Sequence, residues 1–353
     1  MKHTKKARVA RLLSLYFFIR PLFVASLFLG YLLLQGCADS PEPVFVIEGE
    51  TMGTWYHIKV VGTGEQVHIG ELRELTEEAL VQINDMMSTY IADSELMRLN
   101  DGALNTWVDV SEPLYSVLAI SEEVSRLSDG AFDITVAPLV NLWGFGPDRS
   151  SEPPAEQAVA AALEEVGHQY IELHQNPMQV RRLKDVKLDL SAVAKGYGVD
   201  YVAEIYRDRG LRNFMIEIGG ELLLAGHNPE GKPWRIGIET PSLAHSDALK
   251  SVDVSDVGLA TSGDYRNYYE VDGKRYSHTI DPATGYPVEH NLASVTVIAD
   301  TAAKADALAT ALTVLGAEKG HILADKAGIA AYFIERHNGE FVSSYSKAFK
   351  AYL

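Results

Sequence analysis

Asp306 and Thr310 stand four residues apart in an alanine-rich stretch that reads as a helix, capped by Thr301 and closing at Leu315, with Gly316 just past its end. Residues at that spacing share one helical face. A carboxylate and a hydroxyl so placed offer oxygen ligands to a hard cation, and Mg²⁺ favours few protein oxygens completed by phosphate and water. Ala303, Ala305, Ala307, Ala309 and Ala311 are small enough to let backbones approach closely. Spacing alone still favours a plain packing helix with Asp306 turned to solvent.

A second constellation runs from Asp189 to Asp200 and includes Ser191, Ala192, Lys195 and Gly196. A strand over 186–190 delivers Asp189, and a helix starting near Ser191 gathers free amides and a positive dipole end beside it. That suits a phosphate or a ribose, with Lys195 one turn in as a mobile cation. In the plainer alternative Ser191 merely caps the helix and Lys195 points to water. Third, residues 276–285 carry a strand into an Asp-Pro/Thr-Gly turn and present His278 at the strand's end. A histidine there can take a proton from a hydroxyl near neutral pH. A lone histidine is more often a hydrogen-bonded structural residue.

A fourth stretch, Gly130-Ala131-Phe132-Asp133-Ile134-Thr135, leads to Asn141-Leu142-Trp143-Gly144-Phe145-Gly146. Aromatic side chains among glycines can stack on a planar ring, or simply pack a loop. Two small polar turns, Thr51-Met52-Gly53-Thr54 and Ser88-Thr89-Tyr90, carry no meaning in isolation.

The elements that position these residues are strands and helices without a strict βαβ rhythm. Apolar residues Leu72, Leu75, Ala79, Leu80, Ile83 and Met86 recur at three and four, which predicts a helix over 69–87. Further helices are predicted over 114–127, 155–166 and 192–209. Strands are predicted at 44–47 and 56–61 with a turn near 49–53, and at 170–173, 179–183 and 186–190. Others are expected at 214–218 and 221–225 around Gly219-Gly220, and at 234–238, 251–257, 268–271, 274–277 and 294–299. The pattern is α+β, in one lobe or two.

The chain's beginning carries a different message. Lys2, Lys5, Lys6, Arg8, Arg11 and Arg20 precede or flank an apolar stretch over 22–34, too short to span a bilayer comfortably. It ends Leu34-Gln35-Gly36-Cys37, which resembles a bacterial lipobox, so residues 1–36 are expected to be a signal peptide and Cys37 the lipidated residue. An uncleaved membrane anchor is the alternative. Residues 37–44 are then expected to form a short Pro-bearing tether and 45–353 the folded domain.

Cys37 is the only cysteine, so the body has neither a disulfide framework nor a thiolate metal site. Losing six Lys/Arg with residues 1–36 takes the formal charge from −17 to −23. So acidic a body argues against nucleic acid as a partner, and an anionic ligand would need a metal ion or local dipoles.

The order of the motifs is more specific than any one of them. From Thr51-Met52-Gly53-Thr54 through Gly130 to Thr135, Asp189 to Asp200, Gly219-Gly220, Ala260-Thr261-Ser262-Gly263-Asp264-Tyr265, Tyr276 to Pro287 and Ala305 to Thr310, the chain resembles the ApbE family. These are flavin transferases, FAD:protein FMN transferases. The resemblance runs over nearly all of the expected mature chain. It departs at Ala137, where the family pattern leads one to expect Gly, and at Gly198, where it leads one to expect Ala.

The resemblance implies that Met52, Tyr90, Ala131, Phe132, Asp133, Asp189, Lys195 and Ile280 contact FAD. It implies a Mg²⁺ held by the Ala192 carbonyl, Asp306 and Thr310. A Thr or Ser hydroxyl of an acceptor protein would attack the FMN phosphorus of FAD and release AMP, with His278 taking the hydroxyl proton and Asp281 orienting it. The implied fold is one α+β unit of mixed or antiparallel sheets with packed helices, related to the tunnelling fold, with FAD in a cleft.

Rival readings are a Mg²⁺-dependent FAD pyrophosphatase and a non-enzymatic flavin-binding lipoprotein. Acceptors are expected among membrane redox subunits with a short Ser/Thr motif. The expected location is the cell envelope, facing the periplasm through lipidated Cys37 on the bilayer. The inner membrane fits the family, while Ala38 leaves the outer membrane open.

Overall fold

Strands whose side chains alternate between two faces build a sheet that must be covered on both. The computed structural model describes residues 41–65, 67–147, 149–239, 248–263 and 267–353. Cys37, the signal-like segment and Asp264-Tyr265 lie outside the described residues. From Pro43 to Leu353 the chain forms one unit, and none of its described helices is long and apolar enough to cross a membrane.

The strands are β1 (Val44–Thr51), β2 (Thr54–Val61), β3 (Val108–Asp109), β4 (Ile171–His174), β5 (Gln179–Arg182), β6 (Phe214–Ile218), β7 (Glu221–Ala225), β8 (Trp234–Glu239), β9 (Ala248–Val254), β10 (Val257–Gly263), β11 (Tyr268–Val271), β12 (Lys274–Ser277), β13 (Leu292–Ala299), β14 (Ala330–His337) and β15 (Glu340–Tyr345). The helices are α1 (Ile69–Met87), α2 (Glu95–Asp101), α3 (Glu112–Leu127), α4 (Ala137–Leu142), α5 (Glu156–Leu163), α6 (Ala194–Asp208) and α7 (Ala302–Ala327).

Eight strands pair in the order β1-β2-β6-β7-β10-β13-β14-β15, each antiparallel to its neighbour. One face packs on α1, α6 and α7 through Ile58, Ile216, Val202 and Leu312. The β8–β9 hairpin and the C-terminal turn at Phe349 cover the other, with Trp234, Val252, Leu259 and Ile334. The expected α+β class is found, with the large sheet wholly antiparallel.

Local chemistry explains where several predicted boundaries move. The β1–β2 turn is only Met52-Gly53, both at positive φ (49° and 71°), as a two-residue hairpin turn requires. Gly49 lies within β1 because a Cβ there would sit 2.6 Å from the hydroxyl of Tyr56, its cross-strand partner. Residues 186–190 do not form the predicted strand. They run extended beneath α2, where Asn100 bonds both backbone groups of Leu188 at 2.8–2.9 Å, and make only an isolated bridge from Lys187 to Val136.

The predicted strand over 251–257 is two strands, turned at Asp256 (φ 56°). Most of β10, and all of β3, β14 and β15, had no counterpart among the predicted strands. α6 begins at Ala194, so Ser191 does not cap it; the Ser191 amide donates instead to Asp189 Oδ1 at 2.7 Å. Thr301 does cap α7, accepting from Lys304 N, but the helix resumes after a break at Gly316 (φ 73°, ψ 176°) and continues to Ala327. The carbonyl of Thr313, just before the break, accepts His290 Nε2 at 2.7 Å.

Small residues set α7 deep. Ala303, Ala305, Ala307, Ala309 and Ala311 are wholly buried, and a Cβ on Gly196 of α6 would lie 2.5 Å from Ala302 O. Asp200, also on α6, receives the first α7 amides, Ala302 N and Ala303 N, at 2.8 Å each. A carboxylate at a helix start meets both the unpaired amides and the dipole. The two helices are thereby fixed against each other, and with them Lys195 and Asp306.

Candidate active site

A cleft of about 1110 Å³ opens along the ends of α6 and α7, the β6–β7 turn and the loops around 131–145 and 278–282. That exceeds the pocket of a drug-sized ligand, roughly 300–1,000 Å³, and so admits a dinucleotide. Met52, Tyr90, Ala131, Phe132, Asp133, Asp189, Ala192, Lys195, His278, Ile280, Asp306 and Thr310 all line it. Of the residues implicated from the sequence, Asp281 alone among the described residues is absent from its lining, although the adjacent Pro282 is present.

The floor is a cluster of charges, its carboxylates buried and Lys195 partly so. Lys195 Nζ stands 3.4 Å from Glu221 Oε1, 4.0 Å from Asp306 Oδ2 and 3.4 Å from the Ser191 carbonyl. Asp306 Oδ2 accepts the Gly196 amide at 3.1 Å. Burial draws the Lys195 ammonium toward neutrality, but Asp306, Glu221 and Asp189 together outweigh it and hold its pKa above the usual lysine value. Burial pushes Asp306 up, opposed by Lys195 and the Gly196 amide. Burial likewise raises Glu221 to about 8, with Lys195 pulling down and Asp306 pushing up. Two buried carboxylates share one ammonium, so the floor invites a further cation.

Glu221 was not among the residues singled out from the sequence. Its signal was there: an acidic residue opening the otherwise apolar strand Glu221-Leu222-Leu223-Leu224-Ala225 directly after a Gly-Gly turn. It is 5% exposed, and its Oε2 is buried without a hydrogen-bond partner. Such an atom in a native fold calls for a functional explanation.

A row of stacked aromatic rings reaches the cleft at Phe145 and His278. Trp143 stacks on Tyr276, Tyr276 on Tyr269 and Tyr269 on Phe145, with centroids 5.2–5.5 Å apart, and Phe145 meets the His278 ring edge-on at 6.3 Å. Each pair contributes about 0.5–1.5 kcal/mol beyond simple burial. Trp143 Nε1 donates to Gly285 O at 2.8 Å, tying α4 to the Asp281 turn.

His278 is held by Asn267 O, which accepts its backbone amide at 3.1 Å and pairs with Nδ1 at 3.0 Å. A carbonyl can only accept, so Nδ1 carries hydrogen and the neutral ring keeps its lone pair on Nε2. Asp281, expected to orient His278, accepts Ala283 N at 2.9 Å and Thr284 Oγ1 at 3.2 Å inside its own turn. Asn267, which sequence reading did not single out, supplies the observed restraint.

Two expected flavin contacts also have structural duties. Phe132 is 2% exposed and packs in the helix-side core. Asp133 accepts Thr135 N, Thr135 Oγ1 and His168 N, which fixes the 131–135 loop. Tyr90, by contrast, stands 60% exposed at the cleft mouth.

Residues 52–333 match the ApbE family. The FAD:protein FMN transferase of Haemophilus influenzae is 43% identical over 324 residues, covering 90% of this chain and 93% of that protein. That of Escherichia coli K12 is 41% identical over 335 residues, covering 91% and 95%. Among solved structures, the Vibrio cholerae flavin transferase ApbE superposes with a TM-score of 0.82 at 38% identity, over 89% of this chain and all of that one. The apo flavinyl transferase ApbE of Pseudomonas stutzeri gives 0.81 at 40% identity, over 88% and 97%. Match length, identity and superposition agree with the motif order, and the chain belongs to the ApbE family.

Proposed function

We propose that this protein is an FAD:protein FMN transferase that moves FMN from FAD to a Thr or Ser hydroxyl of an acceptor protein and releases AMP. The observation that carries this is the meeting, in one dinucleotide-sized cleft, of Lys195, Asp306, Thr310 and an oriented His278. The new bond joins the acceptor oxygen to the FMN phosphorus, and the bond to the AMP oxygen breaks.

The floor fits a hard divalent cation by its donor chemistry. Asp306, Thr310 and the Ala192 carbonyl offer oxygen only, and the floor carries a surplus of carboxylates over ammonium. Among the described residues no cluster of three His, Cys, Asp or Glu forms a metal cage, which suits Mg²⁺, an ion that keeps waters and substrate phosphates in its shell. When bound there, Mg²⁺ would neutralise the pyrophosphate and the departing AMP oxygen.

His278 Nε2 takes the proton from the acceptor hydroxyl, and Asn267 O, through Nδ1, steadies the imidazolium that results. Lys195 offsets charge on the pyrophosphate. Phe145, at the end of the aromatic row, and Ile280 border the same space with apolar surface suited to the isoalloxazine ring, and the sheet is related to the tunnelling fold. Cys37 would carry the lipid that holds the enzyme on the envelope membrane, facing the periplasm, beside acceptors among membrane redox subunits.

Intact mass measurement of an acceptor subunit, incubated with the full chain, FAD and Mg²⁺, tests the reading. A gain of FMN less water that EDTA abolishes is the expected result. Release of free FMN and AMP with the acceptor unchanged would make the protein a pyrophosphatase instead.

A further inference from the structure

Glu221 occupies a position where packing alone would place a leucine or alanine, at the start of a buried strand. One of its oxygens meets Lys195, and the other is buried without a partner. An isolated carboxylate is costly to bury, so it stays only where a neighbouring charge offsets that cost. Among the described residues, the cation beside it is Lys195, which also neighbours Asp306.

The distances are unequal. The ammonium stands 3.4 Å from Glu221 and 4.0 Å from Asp306, whose Oδ2 is already engaged by the Gly196 amide. Asp189, the third carboxylate acting on Lys195, turns its Oδ1 to Ser191 N.

We propose that Glu221 is a positioning residue that holds Lys195 off Asp306, so that the Asp306 carboxylate stays available to a divalent cation. This rests on the cation-assisted reading above. Without the Glu221 charge, the strongest remaining attraction on the ammonium is Asp306. An ammonium settled there repels an arriving cation and occupies the carboxylate the cation needs. Glu221 and Asp306 thus divide two tasks that either could perform: one binds the lysine, the other the metal.

The alternative is that Glu221 attracts the cation directly by its own charge. A double-mutant cycle separates the two, because only the positioning role requires Lys195. The measurement is Mn²⁺ binding, followed by electron paramagnetic resonance, to the full chain without FAD or acceptor, at one mildly alkaline pH for every variant.

E221Q is expected to weaken Mn²⁺ binding about tenfold. In the K195M background the same substitution should change it by less than about threefold. E221D, which keeps the charge but withdraws it from Lys195, should fall between wild type and E221Q. Equal losses with and without Lys195, or no loss in E221Q, overturn the positioning role and leave the transferase reading intact. Wild-type protein that binds no Mn²⁺ overturns this inference, and if none binds when FAD is added the cation-assisted reading falls as well.

Discussion

On the floor of the cleft, Lys195 and Asp306 project from near the starts of two helices, Glu221 from a strand start and Asp189 from the extended run before α6, and charge holds them to one another. Beside the cleft, an aromatic wall of Trp143, Tyr276, Tyr269 and Phe145 comes from the end of a short helix, the loop after it and a two-stranded hairpin; ring packing holds it, and Phe145 alone of the four lines the cleft. The floor is anchored in the main sheet and two crossing helices. The wall rests on the small β11–β12 pair and on single hydrogen bonds such as Trp143 to Gly285. Phosphate and metal chemistry demand fixed charges, since a misplaced charge in a buried site is costly. A flat ring tolerates sliding along aromatic neighbours.

The largest effect should follow from breaking the floor. Asp306→Ala removes the one carboxylate offered to the cation, and transfer should fall on the order of 10³-fold or more. Mg²⁺ titrations of the variant should no longer saturate in the wild-type range. Unchanged Mg²⁺ dependence would move the metal away from α7.

His278→Ala breaks the wall's chemical contribution while leaving the floor whole. General-base catalysis is worth roughly 10²–10⁴-fold, and the loss should appear in kcat while FAD affinity stays near wild type. An equal weakening of FAD binding would make His278 a packing residue at the end of the aromatic row.

The two regions were unequally legible in the sequence. Asp306 and Thr310 stood out because helical spacing joins neighbours only four residues apart, and Thr301 signalled the helix start by a local hydrogen bond. The aromatic row joins positions 143, 145, 269 and 276, and no periodicity links residues that far apart. The restraint on His278 comes from a backbone carbonyl, a group every residue carries, so no residue type could announce it. Glu221 escaped because a strand-opening glutamate ordinarily points to water. β14 and β15 were overlooked beside the strong helical signal before them, and the 186–190 run looked like a strand because Val186, Leu188 and Leu190, all buried, alternate with charged residues as a half-buried strand does.

The floor's rigidity can be tested through pH. Burial pushes the Asp200 carboxyl up to about 6 from the ordinary 3.8, against the pull of the Ala303 and Ala302 amides. The folded state therefore holds this proton more tightly than the unfolded chain. Its contribution to stability is full below about pH 4 and is lost as pH rises through about 6. Asp200→Asn has no such titration, so its melting temperature should gain on wild type between about pH 4 and pH 7. A gap that stays constant or widens with pH would show that the two amides, and not burial, govern this helix junction.

The smallest expected effect probes the border between the two regions. Gly198 lies inside α6, where replacing Gly by Ala favours the helix by about 0.5–1 kcal/mol. The added Cβ would sit 3.2 Å from Met52 Cε, 3.4 Å from Ile218 Cδ1 and 4.0 Å from Ile83 Cγ2. Only the first is tight, and it is the mobile end of an unbranched side chain on the β1–β2 turn. Gly198→Ala should therefore raise the melting temperature slightly, while FAD affinity shifts by less than about threefold as Met52 turns aside. A lowered melting temperature would mean that Met52 cannot yield. The cleft edge at the β1–β2 turn would then belong with the fixed floor, and the adaptable part of the site would be confined to the aromatic wall.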